Sequence, residues 1–164
     1  MAMSAFYRRC LETARRETRN ITTFGDPRLP DGQYIFTELY CDDPNCECRR
    51  VMLLVQPVGR LDVALATLTY GWESAEYYGE WVRDVEIGKQ MAVLALEILA
   101  EQSPYAEAFL EFAQKNLIED PVYMERLKRH YAEFRATLPS GEKPRHMGPR
   151  GPAFTPPRKK KKRK

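Results

Sequence analysis

Three of the four cysteines in the chain lie close together in sequence, as Cys41, Cys46 and Cys48. Thiolates are preferred ligands of zinc, which binds them tetrahedrally at about 2.3 Å. The spacing C-x4-C-x-C puts the first and last sulfur on either side of a short turn and the second within it. The cluster therefore predicts a metal site at a hairpin, and its ligand type favours zinc.

Several features of this site stay open at the level of sequence. The fourth ligand is Cys10, His130, Asp42 or a water molecule. The pattern lacks the His-x-Glu and Pro-Cys-x-x-Cys elements of zinc deaminases and contains no His-Glu-x-x-His motif. A metal bound here is therefore predicted to be structural rather than catalytic.

Two interpretations without a metal compete with this one. The three cysteines are then either reduced thiols packed at the hairpin, or partners in a reversible disulfide, Cys41–Cys46 or Cys46–Cys48. Arg49 and Arg50 follow the cluster directly and would lower a thiol pKa, which favours metal binding and redox reactivity alike.

The elements around the cluster are predicted to be β-strands. Alternating β-branched and aromatic residues in QYIFTELYC (33–41) indicate a strand, and DDPN supplies turn residues before a second strand, RRVMLLV (49–55). A third strand, LDVALATLTY (61–70), follows the loop QPVGR. These three strands predict an antiparallel meander with the cysteines at its first hairpin.

The remaining segments predict helices, which makes the fold class α+β. One helix over 4–19 precedes the sheet, and three to four follow it and cover one face. The longest of these is predicted over 85–101, and Ser103–Pro104 and Asp120–Pro121 mark two further helix starts. The last helix carries apolar residues at helical spacing, namely Met124, Leu127, Tyr131, Phe134 and Leu138.

A change in composition divides the chain into a single domain over 1–138 and a tail over 139–164. The tail has ten Lys or Arg residues against one Glu, whereas the preceding residues have 16 basic and 22 acidic ones. Its Pro, Gly and charged residues offer almost no apolar surface to bury, which predicts disorder. Its final basic run predicts contacts with the phosphates of nucleic acid or ribosomes through Arg158, Lys159, Lys160, Lys161, Lys162, Arg163 and Lys164.

The segments FTELYCDDPNCECRRVMLLV and LATLTYGWESAEYY resemble a family of small, uncharacterised bacterial proteins. These share a Tyr-Cys-Asp-x-Pro-x-Cys-x-Cys-Arg-Arg-Val core and a Tyr-Gly-Trp-Glu-Ser block, and the similarity covers roughly residues 34–81. Members often carry a C-terminal SEC-C segment, a short cysteine-rich zinc motif. The resemblance implies that the family's cysteine cluster falls on Cys41, Cys46 and Cys48. No cysteine follows Cys48, so the SEC-C segment is absent here.

The sequence favours a binding protein over an enzyme. It contains no nucleophile elbow, P-loop or dinucleotide fingerprint. It also shows no secretory signal, and the longest apolar run, MAVLALEILA, is interrupted by Glu97, which predicts a cytoplasmic protein without a membrane partner. The predicted function is that of a zinc-stabilised adaptor that associates with RNA or ribosomes, with a protein partner also open. The alternative is a thiol-based enzyme or redox-responsive protein.

Overall fold

The computed structural model of the chain describes residues 2–139, in which an antiparallel β-sheet packs one face against α-helices. The strands follow the order β1-β3-β4-β5-β6, and β2 pairs with the same edge of β3 as β1 does. The described strands are β1 (Met3–Ala5), β2 (Asn20–Thr23), β3 (Gly32–Cys41), β4 (Arg50–Pro57), β5 (Ala66–Gly71) and β6 (Ala95–Leu96).

Five α-helices occur within the described residues. A 3-10 turn at Phe6–Arg8 precedes the first of them, and a π-helical turn at Gln114–Ile118 joins the last two. The α-helices are α1 (Leu11–Glu17), α2 (Ala75–Val82), α3 (Val85–Met91), α4 (Ala106–Ala113) and α5 (Pro121–Ala136). None of the helices in residues 2–139 combines the length and apolar composition that a bilayer span requires.

The two faces of the sheet have different surroundings because side chains alternate along each strand. Phe36 and Tyr40 of β3 and Leu53 of β4 lie on the inner face, where they are fully buried. They belong to one apolar core together with side chains of α4, the π-helical turn and α5, among them Phe109, Leu117, Leu127 and Phe134. The opposite, outer face carries the residues that alternate with these.

The predicted meander is confirmed for β3, β4 and β5, which pair antiparallel in chain order. The sheet is nevertheless larger than the three strands predicted. Short strands β1 and β2 extend one edge, and β6 pairs with β5 at the other, where Leu68 lies opposite Leu96. Strands of two to four residues carry too little alternation to be recognised in a sequence.

The helix predicted over 4–19 is wrong in its first half. Residues Met3–Ala5 form β1, with Ser4 opposite Tyr40, and the α-helix begins only at Leu11. Some of the residues before Leu11 favour helices, but intrinsic helix propensity is only a weak determinant of secondary structure. Pairing with the backbone of β3 outweighs it.

The long helix predicted over 85–101 is also wrong, because α3 ends at Met91. The chain then turns to place β6 along the free edge of β5. Glu97 N–H donates to Thr67 O at 2.8 Å, and Thr67 N–H donates to Gln102 Oε1 at 3.0 Å. These bonds satisfy backbone groups that an unpaired edge would leave open. Ile98 and Leu99, which lie within the predicted helix, are 92% and 91% exposed.

The two predicted helix starts have different outcomes. Asp120 caps α5 by accepting a hydrogen bond from Val122 N–H at 2.9 Å, and Pro121 is the first helical residue, as predicted. Ser103 instead accepts from Tyr105 N–H at 3.1 Å within a turn, and α4 begins at Ala106. Of the predicted tail, the structure describes Pro139 alone, so the predicted disorder of 140–164 lies outside the described residues.

Glu17 joins the end of α1 to the last helix. Its carboxylate accepts hydrogen bonds from Arg129, lies 3.2 Å from His130 Nε2, and is 24% exposed. The hydrogen bond from Arg129 is the largest influence on Glu17 and, with the contact to His130, lowers its pKa to about 2. A carboxylate that is easier to ionise in the folded protein stabilises the fold above its unfolded pKa.

We predict that Glu17→Gln lowers the free energy of unfolding at pH 7 by on the order of 2 kcal/mol. The loss should shrink as the pH falls from about 5 towards 2, since the wild-type carboxylate becomes protonated over that range. Urea unfolding at several pH values measures it. Glu12→Gln, which removes an exposed carboxylate from the same helix, serves as the control and should change stability little at any pH. A difference between Glu17→Gln and wild type that is constant with pH would contradict this role.

Candidate metal centre

The sulfur atoms of Cys41, Cys46 and Cys48 all lie within 4.8 Å of one another. The three side chains are 0%, 9% and 3% exposed, and they form a cluster separate from the main core, with Met3 and Trp81 packed against it. Thiolates bound tetrahedrally to zinc at 2.3 Å would be about 3.8 Å apart, so a small adjustment would suffice. The predicted convergence of three thiols is confirmed, and the arrangement could hold a metal ion.

The path of the chain explains how the three sulfurs meet. Cys41 ends β3, and a turn follows in which Cys46 N–H donates to Asp43 O at 3.1 Å. Cys48 lies two residues before β4, and Arg49 between them has a φ of +45°. This left-handed conformation is uncommon for a residue with a side chain and changes the chain direction directly after Cys48.

The helices hold the cysteine loop from both sides. From α2, Tyr77 Oη donates to Glu47 O and Tyr78 Oη donates to Arg49 O, each at 2.7 Å. From α5, Arg135 donates to Asp43 O at 2.6 Å and to Pro44 O at 2.7 Å. The two carbonyls on either side of Cys48 are therefore fixed by side chains about thirty residues away. Sequence analysis missed these contacts because no local pattern reports them.

The thiols differ in their readiness to ionise. A hydrogen bond from Cys46 lowers the pKa of Cys48, while the same bond, together with burial, raises the pKa of Cys46. Burial also raises the pKa of Cys41. A bound metal would displace the protons of these thiols, so metal affinity should rise with pH.

Arg49, expected from the sequence to activate a thiol, is engaged elsewhere. Its guanidinium pairs with Glu73 at 3.0 Å and lies 5.1 Å from the ring centre of Tyr77. The arginine thus strengthens the attachment of the loop to the Trp-Glu-Ser segment before α2. Its main effect is on the position of the loop.

The protein residues considered as a fourth metal ligand, Cys10, His130 and Asp42, each make contacts outside the cysteine cluster. Cys10 is part of the main core, where burial raises its pKa to about 11. His130 is fully buried against Phe6, and its Nδ1 lies 2.8 Å from Glu38 Oε2. Asp42 accepts a hydrogen bond from Ser4 Oγ at 2.7 Å. Within residues 2–139 the cluster includes no fourth Cys, His, Asp or Glu.

A buried polar group on the inner face of the sheet was not anticipated. Glu38 is 3% exposed and accepts hydrogen bonds from Tyr40 Oη at 2.8 Å and from His130. It joins α5 to β3 through polar contacts inside an apolar core. The sequence contained one indication of this buried carboxylate. In the alternating pattern of QYIFTELYC, Glu38 occupies a position on the buried face of the strand.

No disulfide forms among the four cysteines, all of which belong to the described residues. The seven basic residues predicted to bind nucleic acid, Arg158 to Lys164, lie outside the described part of the chain. Comparisons with models of protein families, with curated proteins and with solved structures find no match to this chain. The resemblance to the bacterial family with the cysteine core therefore stays a prediction.

We predict that Tyr78→Phe destabilises the metal-free protein by about 1–2 kcal/mol, because Arg49 O loses a buried hydrogen-bond donor. Release of the loop should also make the three clustered thiols react faster with a thiol reagent. Urea unfolding and the kinetics of thiol modification measure the two effects. Tyr105→Phe changes a tyrosine that is 40% exposed and should leave both unchanged. Unaltered thiol kinetics in Tyr78→Phe would show that this hydrogen bond does not hold the loop.

Proposed function

We propose that this protein is a non-enzymatic adaptor whose cysteine loop is stabilised by one zinc ion and whose basic tail captures RNA or ribosomes. The proposed metal site rests on one observation: the sulfur atoms of three buried cysteines lie within 4.8 Å of one another. The charge difference between the tail and the rest of the chain supports the RNA part.

Three features favour zinc as the metal. Thiolate ligands select soft or borderline cations such as Zn²⁺ and Cu⁺, and zinc accepts a tetrahedral arrangement without a preference of its own. The loop carries its ligands close to the required separation before any ion binds. An ion bound there would link the end of β3 to the start of β4 and stabilise the loop between them.

We predict that the purified protein contains one zinc per chain and that Cys46→Ser contains almost none, because the loss of one thiolate leaves only two. Elemental analysis and competition with a zinc-binding dye measure content and affinity. Cys10→Ala is the matched control, since Cys10 belongs to the main core, and it should retain the metal. Equal zinc content in wild type and Cys46→Ser would exclude the cysteine loop as the site.

The proposed binding of RNA depends on the positive charge of the tail. The tail carries a net excess of basic residues, whereas the preceding residues are acidic overall and would repel phosphates. Lysine and arginine runs bind phosphates by releasing counterions, without a requirement for sequence. The tail therefore supplies the affinity in this proposal, and the folded part remains accessible for a second partner.

We predict that a chain ending at Pro139 binds single-stranded RNA far more weakly than the full chain. The slope of log affinity against log salt should fall by about 0.7 for each phosphate that the shortened chain no longer neutralises. Fluorescence anisotropy over a salt series measures both. A full-length variant with residues 158–164 changed to Gln separates charge from length and should behave like the truncated chain. Equal affinity of the full and truncated chains would remove the tail from the proposal.

A second candidate function, a thiol-based enzyme or redox-responsive protein, is favoured by one observation. The pKa of Cys48 is lowered by a hydrogen bond from Cys46, whose sulfur lies within 4.8 Å of that of Cys48. A thiol count under native conditions separates the two functions. Zinc-bound cysteines react only after a chelator is added, whereas redox thiols react at once and are lost reversibly on treatment with peroxide.

A further inference from the structure

A cavity of about 460 Å³ opens on the outer face of the sheet beside the cysteine cluster. Cys48 lines one part of it, and Met3, which packs against the cluster, lines another. The remaining wall comes from β4, β5 and the segment after β6, with Arg50, Val51, Met52, Thr67, Thr69, Glu97, Leu99 and Ala100. A small molecule in this cavity would lie against Cys48.

The cysteine cluster supplies three ligands of the four that zinc takes. Within residues 2–139 the cluster has no fourth Cys, His, Asp or Glu. Zinc sites with three protein ligands keep one position for water or an exchangeable ligand. Cys48 belongs to both the cluster and the cavity wall, so the cavity lies directly beside the proposed metal site.

Arg50 is the one positively charged residue among those that line the cavity. Its Nε is buried and has no hydrogen-bond partner among the described residues, although the residue lines the cavity two positions from Cys48. A buried guanidinium donor without a partner is costly, and such a group in a folded protein calls for an explanation. A carboxylate in the cavity would pair with the guanidinium of Arg50 and balance its charge.

The rest of the wall limits the size and placement of a ligand. Met52 and Leu99 offer apolar contact, and Thr67 and Thr69 add hydroxyl groups. Glu97, the one acidic residue among those lining the cavity, accepts a hydrogen bond from Leu99 N–H at 3.2 Å and would repel a second anion. The anionic group of a ligand is therefore favoured beside Arg50.

We propose that the metal-loaded site binds a small thiol carboxylate, whose sulfur occupies the fourth coordination position and whose carboxylate pairs with Arg50. This inference rests on the proposed metal site. The ligand thiol binds as thiolate and releases its proton to solvent, and no electron is transferred. Three cysteinate ligands give a bound divalent cation a net charge of −1, and the ligand thiolate brings it to −2; Arg50 balances the carboxylate of the ligand, so that group adds no further net charge.

The test uses the full chain loaded with Co²⁺, which reports its thiolate ligands through sulfur-to-metal absorption. The probes are 3-mercaptopropionate, which has both groups, 2-mercaptoethanol, which lacks the carboxylate, and propionate, which lacks the thiol. We expect 3-mercaptopropionate to raise the absorption by about one third, as a fourth thiolate joins three. It should saturate at about tenfold lower concentration than 2-mercaptoethanol, and propionate should add no absorption.

Arg50→Gln tests the assignment of the carboxylate. It should bring the affinity for 3-mercaptopropionate to that for 2-mercaptoethanol, which itself should not change. Arg60→Gln is the matched control, because Arg60 is exposed, pairs with Asp62, and does not line the cavity. This control should bind both thiols as the wild type does.

The possible failures are distinguishable. Absence of thiolate absorption after Co²⁺ is added would overturn the proposed metal site itself. Thiolate absorption that neither thiol changes, or removal of the cobalt by the thiols, would overturn the exchangeable position alone. Equal affinity for the two thiols in the wild type, or an affinity unaffected by Arg50→Gln, would overturn the carboxylate contact.

Discussion

The burial of three thiols at one turn is the constraint that ties the cysteine loop to two helices. Although Asp43, Asn45 and Glu47 of this loop are exposed, side chains from both helices donate hydrogen bonds to its backbone carbonyls. Tyr77 and Tyr78 supply donors on one side and Arg135 on the other, at 2.6 to 2.7 Å. The cluster is therefore held from two sides, by helices that reach the same loop. These contacts link the local cysteine motif to the tertiary arrangement of α2 and α5.

The position of α5 is in turn determined by contacts with residues on the inner face of the sheet. Tyr40 Oη lies 3.1 Å from Leu127 O, and Glu38 contacts His130, so β3 holds the helix by polar contacts within an apolar core. Arg135 lies just over one turn beyond His130 and meets the loop that follows β3. The same strand thus ends in Cys41 and anchors the helix that fixes its loop. A buried network of this kind specifies position more than it adds stability, because its groups must first lose their hydration.

The sequence predicted the features that depend on local chemistry. Alternation predicted β3 and β4, the Asp120–Pro121 pair predicted the start of α5, and cysteine spacing predicted that the thiols meet. The segment after Met91 could not be predicted in this way. Its Ala, Leu and Ile residues are good helix formers, but the open edge of β5 imposes strand pairing and a turn, which leaves Ile98 exposed. The residues that hold the loop were missed because their partners are distant in sequence.

Because protein hydrogen bonds already hold the loop, a metal ion in the proposed site would add stability without being required for folding. In a small zinc finger the metal supplies the folding free energy, so the empty form is unfolded. Here the main core contains most of the buried apolar residues, and the cysteines form a cluster apart from it. Occupancy of such a site follows the concentration of free metal, and the gain in stability follows the same dependence. A ligand at the fourth position of the proposed site would act within this equilibrium, since it would bind the loaded form alone and so raise the apparent affinity of the protein for the ion.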